Sequence, residues 1–146
     1  MNTLQLEYDR DFYQWIYHNI ELLKQRRFNE LDIEILIDEL ESMAKRDRRE
    51  LFSRLMVLIA HLLKWQYQPQ QRSGSWRGSI QEQRTKINQQ LQESPSLKNK
   101  LLDGINTAYP DAMKIAMKET GISTKNFPEH CLYSIEQILN EDFYPT

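Results

Sequence analysis

The feature that most constrains this chain is a long run of helix-spaced apolar residues between Asn29 and Pro69. Leu36, Leu40, Met43, Leu51, Leu55, Leu58, Leu62 and Trp65 step by three or four, with Asp47 standing in the same stripe. A second stripe, Phe52, Met56, Ile59 and Leu63, flanks the first, so residues 51–63 are apolar nearly all round. A helix of that kind is buried on every side and marks the centre of a bundle. Asn29 suits an N-cap, with Asp32 in the capping-box position and acids in the first turns. Pro69 stops the helix after Tyr67. Such a helix has about 38 residues and is roughly 57 Å long, longer than a compact domain, which invites a bend or break at residues 42–47.

The remaining elements follow from punctuation. An aromatic-rich helix is expected over about residues 9–26, from Phe12, Trp15 or Ile16, Asn19 or Ile20, and Leu23. Arg26 and Arg27 suit its C-terminus, where the helix dipole favours cations. Residues 68–75 read as a turn, and a polar helix follows over about 76–92, capped by Ser73 or Ser75. Ser94 with Pro95 opens another helix, Pro110 kinks or restarts it, and Gly121 closes it. Ser134 with Gln137 spells a capping box for a short helix. The tail from Asp142 to Pro145 is aromatic and is expected to dock. Only four Gly and five Pro among 146 residues favour long regular elements, and no strand alternation competes. The expectation is an all-α, single-domain helical bundle of about five helices over residues 1–146, with a long, kinked or continuous central helix.

Charge narrows the partners. The net charge of −2 hides segregation: residues 1–44 carry 10 acids and 4 bases, residues 45–100 carry 4 and 12, and residues 101–146 carry 7 and 3. The chain is acidic, basic, acidic. Its pI near 5.9 is low for a nucleic-acid-binding domain, which favours basic and acidic segments neutralising one another. The single Cys131 excludes an intrachain disulfide, no signal-like apolar segment precedes the early acids, and no apolar run approaches the roughly 20 residues a bilayer requires. A cytoplasmic protein with no membrane partner is expected.

Candidate site residues concentrate in residues 61–84. His61, Lys64 and Trp65 share a helix face. Trp65, Tyr67, Arg72, Trp76, Arg77 and Arg84 interleave aromatics with bases, as a single-stranded nucleic-acid platform would; the competing reading is a structural joint in which two Trp clamp a turn. No Ser, Cys or Asp stands at a revealing distance from His61, and no HExxH, Glu-x-x-His, CxxC or glycine-rich phosphate loop is present. No catalytic residue, metal or cofactor is therefore assigned. Glu30, Glu34, Asp38 and Glu41 form an acidic stripe on the long helix, with Lys45, Arg46, Arg48 and Arg49 one turn on. Like charges at this spacing cost a few tenths of a kcal/mol each, and a basic surface, in this chain or a partner, would relieve them. The leading expectation is a non-enzymatic interaction or self-association module. A nucleic-acid-binding regulator is the alternative, and an enzyme centred on His61 with Glu39 or Glu41 ranks last.

The blocks YDRDFYQW, FNELDIEILIDELESM, HLLKWQYQP, SWRGSIQEQR, SPSLKNKL, AYPDAMKIAMKETGI and FPEHCLYSIEQILNEDFYP run in order along nearly the whole chain. Together they resemble a bacterial, largely cyanobacterial, family known as domain of unknown function number twenty-nine. Pro110 departs from that pattern, where a helix-compatible polar residue is expected. The resemblance implies an all-helical fold and a cytosolic bacterial protein. It implies no activity and lends no role to any residue.

Overall fold

A computed structural model describes residues 3–146. Among these residues the fold is all-α, with six α-helices, several short 3₁₀ turns and no strand. The chain divides into two compact units, one up to Lys45 and the other from Arg46 to Thr146.

The first unit holds α1 (Thr3–Arg10), α2 (Phe12–Lys24) and the beginning of α3 (Ile33–Tyr67). A single helix was expected over residues 9–26. Asp11 divides it instead, because its carboxylate accepts from the Gln14 N–H at 3.1 Å and caps α2. α2 ends in a Schellman turn: the Arg27 N–H reaches the Leu22 carbonyl at 2.9 Å and the Arg26 N–H reaches that of Leu23 at 3.1 Å. Arg26 occupies the left-handed position at φ 57°, where glycine is the unstrained choice. Asn29 lies in a 3₁₀ turn (Phe28–Glu30), so α3 begins later than the sequence suggests. Its cap is Asp32, whose Oδ1 accepts from the Ile35 N–H. The core of this unit is small: Leu4, Trp15 and Leu22 are buried, with Tyr8, Ile16, Leu31, Ile35 and Leu36 packed around them. Tyr8 and Phe12 meet edge to face at 5.5 Å, and Phe12 stacks on Trp15 at the same separation. The Tyr8 hydroxyl donates to the Glu39 carboxylate, and His18 Nδ1 lies 2.8 Å from Glu7 Oε2.

The second unit is built around the later part of α3, which runs unbroken to Tyr67; residues 42–47 contain no break. Leu51, Leu55, Leu58, Ile59, Leu62 and Leu63 are buried, as a helix apolar all round requires. α4 (Gly74–Glu93) contributes Ile80, Ile87 and Leu91, and Ser73 caps it through Trp76 N–H. A 3₁₀ segment (Pro95–Lys100) leads into α5 (Leu101–Thr120), which adds Ile105, Ala108, Ala112 and Ala116. Pro110 neither stops nor restarts α5. It sits on an exposed position, where the helix bond it forfeits is least costly. Gly104 is required by close approach, since a Cβ there would lie 2.8 Å from the Phe52 ring. Gly121 closes α5 in the left-handed region. The Ser134–Gln137 capping box opens α6 (Ile135–Leu139), whose Ile138 is buried.

Candidate functional site

Residues 61–84 join the end of α3 to α4, and their side chains sort into two groups. The first centres on Trp65, which is buried. The Arg72 guanidinium lies 5.0 Å from its ring centroid, and Arg72 Nε donates to the Trp65 carbonyl at 2.8 Å. Arg77 approaches the same ring at 5.3 Å, and Tyr144 packs on it at 4.8 Å. Arg84 is 0% exposed. Its Nε and Nη2 donate to the Ile138 and Gln137 carbonyls, at 2.8 and 3.2 Å, and so cover the open C-terminus of α6. Its guanidinium also lies 5.6 Å from the Tyr144 ring. Burial lowers the Arg84 pKa, against the pull of Tyr144, Glu141 and Asp142. The aromatic tail docks here, with Pro145 buried and its carbonyl within reach of Arg72.

The second group is His61, Lys64 and Trp76, completed by Glu119 of α5. Lys64 is 5% exposed. It pairs with the Glu119 carboxylate and lies 4.8 Å from the Trp76 ring centroid. His61 Nδ1–H donates to the Val57 carbonyl at 2.9 Å. Desolvation lowers the His61 pKa, with Lys64 pushing the same way and the Val57 bond and Glu119 opposing. Burial thus disfavours the charged imidazolium, and the bond to Val57 places a proton on Nδ1. Tyr67 belongs to neither group; it meets Phe127 edge to face at 5.1 Å.

Sequence reasoning missed the partners of these residues. Glu119, Tyr144 and Phe127 lie 50 or more residues away in the chain, and no local spacing announces them. The carboxylate acting on His61 is Glu119, whereas Glu39 is engaged by Tyr8. Glu39, Glu41 and His61 belong to one α-helix, Ile33–Tyr67. Among the described residues no cluster of three or more His, Cys, Asp or Glu could hold a metal. An open groove of about 750 Å³ in the second unit, lined by Leu91, Pro95, Leu101, Ile135 and Leu139, includes none of the candidate residues of the 61–84 segment.

A different surface stands out by exposure. Leu6, Phe12, Tyr13, Tyr17, Leu23, Phe28, Ile33, Ile37, Leu40 and Met43 are exposed, and all lie in the first unit; only Leu102 and Leu132 match them among the described residues of the second. Leu40 is 64% and Tyr13 71% exposed. On α3 the exposed set recurs at helical spacing, Ile33, Ile37, Leu40, with acids alongside.

The family described as Domain of unknown function DUF29 matches residues 7–144. The chain belongs to that family. No curated protein and no solved structure matches it. No helix among the described residues of this DUF29 protein is long and apolar enough to cross a membrane.

Proposed function

We propose that this DUF29 chain is a non-enzymatic interaction module that docks a protein partner through the apolar face of its first unit. One observation carries the reading: among the described residues ten large apolar side chains are exposed before Lys45, against two in the much longer remainder. Scattered exposed apolar residues are ordinary in a soluble protein, but a concentration of them on one small unit is the mark of a docking surface. Tyr13 and Tyr17, whose rings lie 4.9 Å apart on α2, suit such a surface because tyrosine supplies area at low entropic cost. The acids beside the α3 stripe give the surface a sign and favour a basic contact.

The 61–84 cluster fits the joint reading better than the nucleic-acid reading. The faces and donors that would receive bases and phosphates are engaged by Tyr144, Pro145 and the α6 carbonyls. The cluster fastens the tail and α6 to the end of α3.

Native mass spectrometry of the untagged chain purified from its host tests the proposal. The expected result is a discrete species heavier than the 17.6 kDa chain, which Leu40→Asp converts to the bare chain. A bare chain from the outset would contradict it, and extra mass removed by nuclease would favour the nucleic-acid alternative.

A further inference from the structure

We infer that the open groove at the end of α4 binds a free medium-chain aliphatic carboxylate, with the Lys98 ammonium on its head and branched side chains along its tail. The groove lies wholly within the second unit and is independent of the docking surface of the first. It exists because α6 is short. Five residues make a helix about 7 Å long, which covers only part of the apolar ground between α4 and α5. Leu91 and Leu101 are buried at the groove, Ile135 and Leu139 are half-buried along it, and Pro95 completes the apolar wall. A volume of about 750 Å³ suits a small molecule held between the helices of a bundle.

The walls select the chemistry of the ligand. Among the described residues no aromatic ring lines the groove, so nothing there stacks on a planar ligand. Branched aliphatic side chains receive a flexible alkyl chain through buried area alone. The polar groups of the lining are Asn88, Gln92, Lys98 and Glu141. Glu141 is already engaged: it accepts from Gln81 Nε2 at 3.2 Å and attracts the buried Arg84 guanidinium, whose Nη1 has no partner and which makes no ion pair among the described residues. Lys98 is not engaged. Its ammonium finds no ion-pair or hydrogen-bond partner among the described residues, and neither do the carboxamides of Asn88 and Gln92, one turn apart on α4. The groove therefore presents free donors and one uncompensated positive charge beside an aliphatic wall. A carboxylate head supplies the acceptor these donors lack, through charge-assisted bonds. One ammonium matches one negative charge; an alcohol forgoes that attraction, and an alkylammonium reverses it.

NMR titration of the full chain with octanoate, octanol and octyltrimethylammonium, each to ~3 mM, tests this. The expected result is saturable shifts at Leu91, Leu101, Ile135 and Leu139, with a Kd for octanoate below about 0.3 mM. Octanol should bind about tenfold more weakly, and the cation more weakly still. Lys98→Glu should lower octanoate to the level of octanol or below, while the unchanged remainder of the spectrum shows an intact fold. Absence of saturable shifts by ~3 mM overturns the inference. So does equal affinity for all three amphiphiles, which would mark an adventitious apolar contact only. Octanoate binding indifferent to Lys98→Glu overturns it too, as do shifts centred on Ile37 and Leu40 of the first unit.

Discussion

The two units meet the same problem with different resources. From Arg46 onward, α3, α4, α5 and α6 enclose a core in which Leu51, Leu55, Leu58, Leu62, Ile80, Ile87 and Ile138 are sealed from water by their own chain. Before that, Leu4, Trp15 and Leu22 are the only buried apolar side chains among the described residues, under a surface that carries Tyr13, Ile33, Ile37 and Leu40 in the open. Burial of apolar area is what offsets chain entropy. The second unit supplies that burial internally, whereas the first leaves apolar area in water. The difference teaches that helical periodicity specifies a face to be covered, and does not say which chain covers it.

Substitutions sharpen the contrast. Leu58→Ala, in the sealed core, should cost about 3–5 kcal/mol in global unfolding, since the surroundings cannot collapse into the void. If Trp15→Ala lowers the same global transition by as much, the two units do not differ as described; chemical denaturation of both variants decides it. Arg84→Met keeps much of the volume but strips the donors from the Ile138 and Gln137 carbonyls. It should cost about 2–4 kcal/mol through two orphaned acceptors at the end of α6, with tail amides exchanging faster by NMR. Arg26→Gly relieves a left-handed residue at the end of α2 and should stabilise the first unit by about 0.5–1 kcal/mol; a loss of stability would mean the Arg26 side chain matters more than its backbone. Leu40→Asp should change the unfolding free energy of the monomer by less than about 0.5 kcal/mol while abolishing association.

The smallest effect concerns pH. The folded state holds the His61 pKa below its ordinary 6.5. The unfolded state therefore takes up a proton first as pH falls below about 6.5, and folding stability declines there until the folded pKa is passed. Above that range His61 contributes no slope. A His61→Gln variant should show a flatter stability profile below pH 6.5, measured by urea midpoints across the range.

Much of this was readable from the chain. The capping box at Ser134, the Ser73 cap, the Gly121 stop and the all-round apolar run from Leu51 to Leu63 are local signals with local causes, and each falls where expected. Two boundary errors were also local. Asp11 was read as a residue within a helix when it caps one, and Asn29 was preferred to Asp32 as the cap of α3, although both have the chemistry. The candidate residues of the 61–84 segment could be named from the sequence, but their arrangement could not. Trp65, Arg72 and Arg84 declared themselves by type, yet their orientation depends on Tyr144 and the α6 carbonyls, contacts that sequence spacing does not encode. Leu40 and Met43 were equally visible in their stripe, but their exposure was not, because a 3.6-residue period is identical for a face buried within the chain and one left in water.

Hydrogen–deuterium exchange of the full chain, followed from low to high protein concentration, tests the central contrast most directly. The expected result is strong protection of residues 51–63 at every concentration, with weak protection across α2 and the start of α3 that rises as the protein associates. Protection of the first unit equal to that of residues 51–63 at the lowest concentration would contradict the account, because a unit so stable alone would leave nothing for a partner to complete.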